Sequence, residues 1–171
     1  MATIQKSFDK SLQKGDMGEK LVVDILESKG WSVFRPVTEG AHSFDVLAIK
    51  DKKKAIALDV KAKGRMNKYP ATGVNENHFL TYKAFSEKHN MPFWIIFVDE
   101  CKGLVYGNEI IELQKPREVE GVLYPKKIMT RDRKEIRLWP LEAMIAIGDI
   151  NAQDRAALVL MSQRAYEYNP D

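Results

Sequence analysis

The sequence predicts an α/β fold in which helices cover both faces of a central mixed sheet, with small strands and a terminal helix added on the C-terminal side. Three observations predict it. An apolar helical period lies over 16–29, three strand-like segments follow it, and a second helical segment leads into 93–98, a run that is apolar on both alternating sets. A strand apolar on both sides needs cover on both faces of its sheet, which is how layered α/β proteins are built. With 171 residues and 44% hydrophobic content the chain can bury one sizeable core. A single domain is therefore expected, with a core over 16–99 and an accessory region over 100–171.

In the first helix, Met17, Leu21, Val22, Ile25 and Leu26 recur at helical spacing and Gly30 supplies the stop. The segments 31–37, 44–49 and 55–60 are rich in β-branched and aromatic residues, and the last two flank the polar turn Asp51-Lys52-Lys53. A loop containing Gly64, Pro70 and Gly73 leads to a second helix over 75–88, capped by Asn75 and ended by His89-Asn90. Beyond Gly103 the pattern weakens to short strand-like pieces at 104–106, 122–124, 127–130 and 136–139, before Asn151 caps a last helix reaching 168. That helix carries enough apolar residues to pack on the domain or on a second copy, so a homodimer is one expectation.

Composition narrows the setting more than the activity. Twenty-seven basic against 24 acidic residues leave a formal net charge of +3, too little to imply nucleic-acid binding without local clustering. The single Cys101 excludes an internal disulfide, the polar start lacks the apolar core of a signal peptide, and no apolar stretch approaches the ~20 residues of a membrane span. The expectation is an intracellular, cytoplasmic protein with no membrane partner.

The chemistry concentrates on four residues. Asp59-Val60-Lys61 sets an acid and a base two apart on a strand, so both side chains leave one face while Leu58 and Val60 leave the other. Acid-x-Lys recurs at Glu27, Asp51 and Asp132, but only Asp59 and Lys61 follow a strand run, Ala55-Ile56-Ala57-Leu58. If the preceding hairpin has a three-residue loop centred on Lys52, Asp45 lies directly across from Asp59. Two carboxylates about 5 Å apart at Cβ repel unless a cation lies between them. Oxygen ligands without a Cys or His cluster favour Mg²⁺ or Mn²⁺ over zinc. Glu19 precedes Val22 by three and Leu26 by seven residues, so it projects along the inward side of the first helix toward that pair. Lys61 supplies a cation for an attacking hydroxide and for the charge that builds on a phosphoryl transition state.

Gly18-Glu19 on a first helix, Phe44-Asp45 on a strand and then Leu58-Asp59-Val60-Lys61 resemble the PD-(D/E)XK nuclease superfamily. The order and spacing of the acids are most similar to those of archaeal-type Holliday junction resolvases. The resemblance implies a restriction-endonuclease-like three-layer α/β/α core and a Mg²⁺-dependent endonuclease acting on DNA, with RNA not excluded. It also implies that Asp45, Asp59 and the Val60 carbonyl hold the metal, that Glu19 assists them, and that Lys61 acts at the nucleophile. Where many members carry Gln-x-x-x-Tyr on the next helix, this chain has His78 and Tyr82, which become candidate nucleic-acid contacts. Lys63, Arg65 and Lys68 join them as a basic stretch leaving the site, with Tyr69 interleaved. A second basic cluster runs from Lys126 to Arg137. Two rival expectations are a junction-specific resolvase, which needs a dimer, and a nuclease-fold binding module that has lost catalysis.

Overall fold

The computed structural model describes residues 2–36, 43–51, 54–66 and 70–162. Its central sheet has six strands in the order β1-β2-β3-β5-β6-β11. The first three, β1 (Ser32–Phe34), β2 (Val46–Lys50) and β3 (Lys54–Lys61), form an antiparallel meander. Helix α2 (Glu76–His89) then returns the chain so that β5 (Phe93–Asp99) runs parallel to β3. Antiparallel β6 (Leu104–Glu109) and β11 (Ile145–Asp149) complete the sheet. This is the α/β arrangement that the sequence predicts, a central mixed sheet with helices on both faces.

The two-sided apolarity of β5 has the expected cause. Ile96 and Val98 join Leu58 and Val60 of β3 under α1 (Ala2–Ser28), which supplies Leu21, Val22 and Leu26 to that core. Phe93, Ile95 and Phe97 face the other way with Ala57, under Phe79 and Tyr82 of α2. Alternation on β3 therefore puts Asp59 and Lys61 on the α2 side of the sheet. That choice of face is the main thing the fold does for the site.

Three features depart from expectation. Helix α1 begins at Ala2, well before the expected Asp16. No proline interrupts 2–28, a single Gly15 costs a helix only about 1 kcal/mol, and Lys14 is anchored on the buried Glu100. A strand β4 (Ala71–Asn75) stands where Pro70 and Gly73 suggest only loop. It pairs with β10 (Glu135–Pro140), which pairs with β9 (Lys126–Met129), to make a separate three-stranded sheet. Gly73 permits this: a Cβ there would lie 2.1 Å from the Arg137 carbonyl oxygen. This small sheet packs beside α2, with the Trp139 and Phe79 rings 5.7 Å apart.

The accessory region also holds α3 (Ile110–Leu113), a hairpin of β7 (Arg117–Val119) with β8 (Val122–Tyr124), and α4 (Ala152–Met161). Asn151 caps α4 as expected, accepting from the Asp154 N–H at 2.9 Å. The part of that helix expected beyond residue 162 lies outside the described residues. Among the described residues no helix is long and apolar enough to cross a membrane.

Candidate active site

The β2–β3 register runs from Val46↔Leu58 to Lys50↔Lys54, that of a hairpin centred on Lys52. Extended one step, it sets Asp45 against Asp59, although regular pairing ends at Val46. At that point the Asp45 N–H donates to the Leu58 carbonyl, and the Asp45 carboxylate turns in to accept the Val60 N–H at 2.7 Å. A side chain thus replaces a main-chain acceptor at the end of the ladder and fixes Asp45 beside β3.

Asp59 is buried, at 4% exposure. Its Oδ1 accepts from Tyr82 Oη at 2.6 Å and from Lys61 Nζ at 2.8 Å. Oδ2 also lies 2.8 Å from Lys61 Nζ, but the approach is off-line and that buried oxygen receives no hydrogen bond from the described residues. Lys61 Nζ stands 5.9 Å from the Tyr82 ring centroid, so the cation is held between the carboxylate and the ring. Burial first, then the neighbouring negative charge and hydrogen bond of Asp59, drive the Tyr82 hydroxyl well above the usual phenol range and keep it a donor.

Asp45 bears the electrostatic cost. Burial and then the Asp59 charge push its pKa up to about 6, the Val60 N–H and Lys61 only partly offsetting them. Glu19 adds a smaller raising effect, which places its charge within reach of Asp45. The Glu19 carboxylate itself is paired with the Arg35 guanidinium. Among the described residues no three His, Cys, Asp or Glu side chains converge as a ready metal cage. The structure therefore gathers Asp45, Asp59, Lys61 and Tyr82 tightly and leaves Glu19 at the rim. Gly18 explains how the helix comes so close: a Cβ there would sit 2.7 Å from Ala62 Cβ, at the end of β3. Nothing in the sequence singled out Arg35.

The remaining candidates divide. Lys63 Nζ lies 5.9 Å from the Phe97 ring centroid. Arg65 is turned inward, its Nε donating at 2.7 Å to Asp99, a buried acid at the end of β5 that sequence reasoning missed. Its charge is spent within the fold, which weakens its place in the expected basic stretch. Lys68, like Tyr69 and His42, lies outside the described residues. His78 is one helical turn before Tyr82, with ring centroids 6.3 Å apart. Burial and then the Lys61 charge lower its pKa, so its neutral form is favoured. The second basic cluster is split: Arg137 makes a two-pronged pair with the buried Glu76 at 2.6 and 2.7 Å, and Lys127 reaches Glu76 at 3.0 Å.

These features fit a hard divalent ion. A buried carboxylate oxygen without a hydrogen bond, a second carboxylate raised by its neighbour, and an ammonium drawn into the gap mark a place where positive charge is wanted. All available side-chain donors are oxygens, and Mg²⁺ commonly takes one or two carboxylates and completes its shell with water and phosphate. The site lies at the carboxyl ends of parallel β3 and β5, the usual location of ligands in open α/β sheets. A cavity of about 690 Å³ lined by Leu26, Ile56, Trp94 and Ile147 lies at the opposite end of these strands and holds none of the four residues.

No family model and no curated relative matches the sequence. Among solved structures, the chain is similar to Hjc of Archaeoglobus fulgidus, a Holliday junction resolvase from an archaeal hyperthermophile. The identity is 13% and the TM-score 0.49, over 72% of this chain and 88% of that one.

Proposed function

We propose that the chain is a metal-dependent nuclease that hydrolyses phosphodiester bonds in DNA. The observation that carries this reading is the buried Asp59, with Lys61 on its carboxylate, beside the half-buried Asp45 at the open end of two parallel strands. Asp45, Asp59 and the Val60 carbonyl would hold Mg²⁺ or Mn²⁺, with Glu19 approaching through the surrounding solvent. When bound, the ion supplies Lewis-acid activation of the phosphodiester.

The chain's own groups do the rest. Tyr82 holds Asp59 in one orientation by its 2.6 Å bond, as outer-shell donors do at metal sites. Lys61 presents an ammonium to the negative charge that develops on the phosphate and on the incoming oxygen, a role carboxylates cannot fill. Val60 N–H keeps Asp45 aimed at the same point.

The test is a digestion panel of linear, single-stranded, flapped and branched DNA, with RNA alongside, in Mg²⁺ and in Mn²⁺. Asp59→Ala and Lys61→Ala should each abolish cleavage while the far-ultraviolet dichroism stays native. A wild-type protein that cuts none of these substrates, or an Asp59→Ala protein that cuts at the wild-type rate, rejects the reading.

A further inference from the structure

A groove of about 510 Å³ runs between the first turn of α2 and the β9–β10 hairpin, walled by Asn75, Asn77, His78, Met129, Arg133 and Lys134. Glu135 lines it too, its carboxylate paired with Lys127 at 3.3 Å. It is separate from the acidic centre, yet one residue belongs to both places. The His78 ring lines the groove and lies 6.3 Å from the ring of Tyr82, whose hydroxyl bonds Asp59. His78 thus stands between the groove and the residue that holds Asp59.

The walls carry three kinds of recognition chemistry. The hairpin tip is cationic: Arg131 and Arg133 are exposed with no ion-pair partner among the described residues, and Lys134 has only the exposed Asp132 at 3.1 Å. By contrast Lys127 and Arg137, farther along the same hairpin, are neutralised by Glu76. Positive charge is thus left where the groove opens. The amides are available, since the Asn75 side chain does not cap α2 although it stands at the cap position. Met129, on the outer strand β9, is 64% exposed and offers a polarizable apolar surface in an otherwise polar groove. Exposed cations, amides for base edges and an apolar face for a ring suit a strand whose bases are unstacked, which a closed duplex does not present.

We infer that this groove seats an unpaired DNA strand next to the scissile phosphate, its backbone on Arg133 and Lys134 and a base against Met129, an inference that rests on the nuclease reading above. The β9–β10 sheet is then the element that admits single-stranded or splayed DNA to the acidic centre.

The experiment measures binding of a fluorescent single-stranded DNA oligonucleotide by anisotropy, in Ca²⁺, across a salt series. The charge reversal R133E/K134E should raise Kd at least tenfold and flatten the salt slope by about 1.4, the value for two lost phosphate contacts on a single strand. Met129→Ala should raise Kd several-fold with the salt slope unchanged. Both changes lie on the exposed hairpin, and thermal midpoints within 2 °C or so of wild type would verify the fold. An unchanged Kd and slope for R133E/K134E, or a loss confined to duplex DNA or to RNA, overturns the inference. The same wild-type oligonucleotide is also incubated with Mg²⁺. If it is cut while the variants bind normally, only the groove assignment falls. If the variants lose binding but wild type cuts no member of the digestion panel, the nuclease reading falls instead.

Discussion

Replacing Asp45 by Asn should make the protein more stable at neutral pH while removing its response to divalent metal. The carboxyl of Asp45 titrates near 6 in the fold against 3.8 as an ordinary side chain, because of burial and then the charge of Asp59. Between those values the folded state binds more protons than the unfolded one, so stability falls as pH rises through that window. The penalty is absent below about pH 4 and fully present above about pH 6. A shift of roughly two units corresponds to about 3 kcal/mol at 1.36 kcal/mol per unit. Partial exposure of the group brings the expected gain to about 1–2 kcal/mol. For a chain of this size that is a rise in midpoint of about 3–8 °C.

Asn is the right probe because its amide oxygen can still accept the Val60 N–H, now made at 2.7 Å, while carrying no charge. Asp45→Ala loses that acceptor and should fall below Asp45→Asn by about 1 kcal/mol. Thermal melts from pH 4 to pH 8, with and without 10 mM or so of Mg²⁺, decide the matter. The expected pattern is no difference near pH 4, a growing advantage for Asp45→Asn that levels off above pH 6 or 7, and a Mg²⁺-induced rise in wild type alone. An Asp45→Asn protein that melts below wild type at pH 7.5, or whose advantage does not depend on pH, refutes the claim that Asp45 is held under electrostatic load.

Four further outcomes follow from the packing of the helices and sheets. Tyr82→Phe removes the hydroxyl from Asp59 Oδ1 and should cost about 1–3 kcal/mol of stability; calorimetric Mg²⁺ titration should show affinity weakened by roughly tenfold or more. Gly18→Val drives a side chain into Ala62, where even a Cβ would be 2.7 Å away, and should lower stability by about 1–3 kcal/mol. Gly15→Ala, with nothing within 4 Å, should instead gain roughly 0.5–1 kcal/mol in the same melts. Glu76→Ala strands Arg137, whose side chain is only 16% exposed, and should destabilise by about 3 kcal/mol in urea titrations. The Arg137 hydrogen bonds, first among its influences, hold the Glu76 carboxyl below its usual range. The contribution of that pair is therefore present above pH 4.5 or so and lost as pH falls below it.

The core was legible because its signals are local and periodic. Two-sided apolarity at 93–98, a helical stripe at 17–26 and the polar break between 44–49 and 55–60 are each carried by one segment alone, and the last sets the β2–β3 register that brings Asp45 beside β3. What was hidden depends on partners distant in sequence. Strand β4 contains a glycine and follows a proline, so it reads as loop until β10, more than sixty residues later, supplies its hydrogen bonds. Arg65 looks like part of a basic track because Asp99, its acid, lies on another strand. The Lys126–Arg137 cluster reads as one charged surface, yet Glu76 on α2 cancels its inner members and leaves only the tip cationic.

Four acids gather at the carboxyl ends of β3 and β5 and the strand beside them, and their degree of satisfaction separates them where sequence cannot. Asp99 is saturated: Arg65 and the N–H groups of Cys101 and Lys102 donate to it, with the Tyr106 hydroxyl at 3.5 Å. Glu100 is fully buried with one oxygen lacking a hydrogen bond, but Lys14 neutralises it and Ser162 lies 3.4 Å away. Both tie distant segments together and have little need of an added charge. Asp45, with the Val60 N–H as its hydrogen bond, lies beside Asp59, on which the one nearby ammonium, Lys61, sits. Two carboxylates and one lysine leave a deficit of positive charge in a poorly solvated place, and a fold keeps such a deficit at a cost in stability only where something charged arrives to fill it. The unsatisfied pair, not the better-buried one, is therefore where we propose that the chemistry lies.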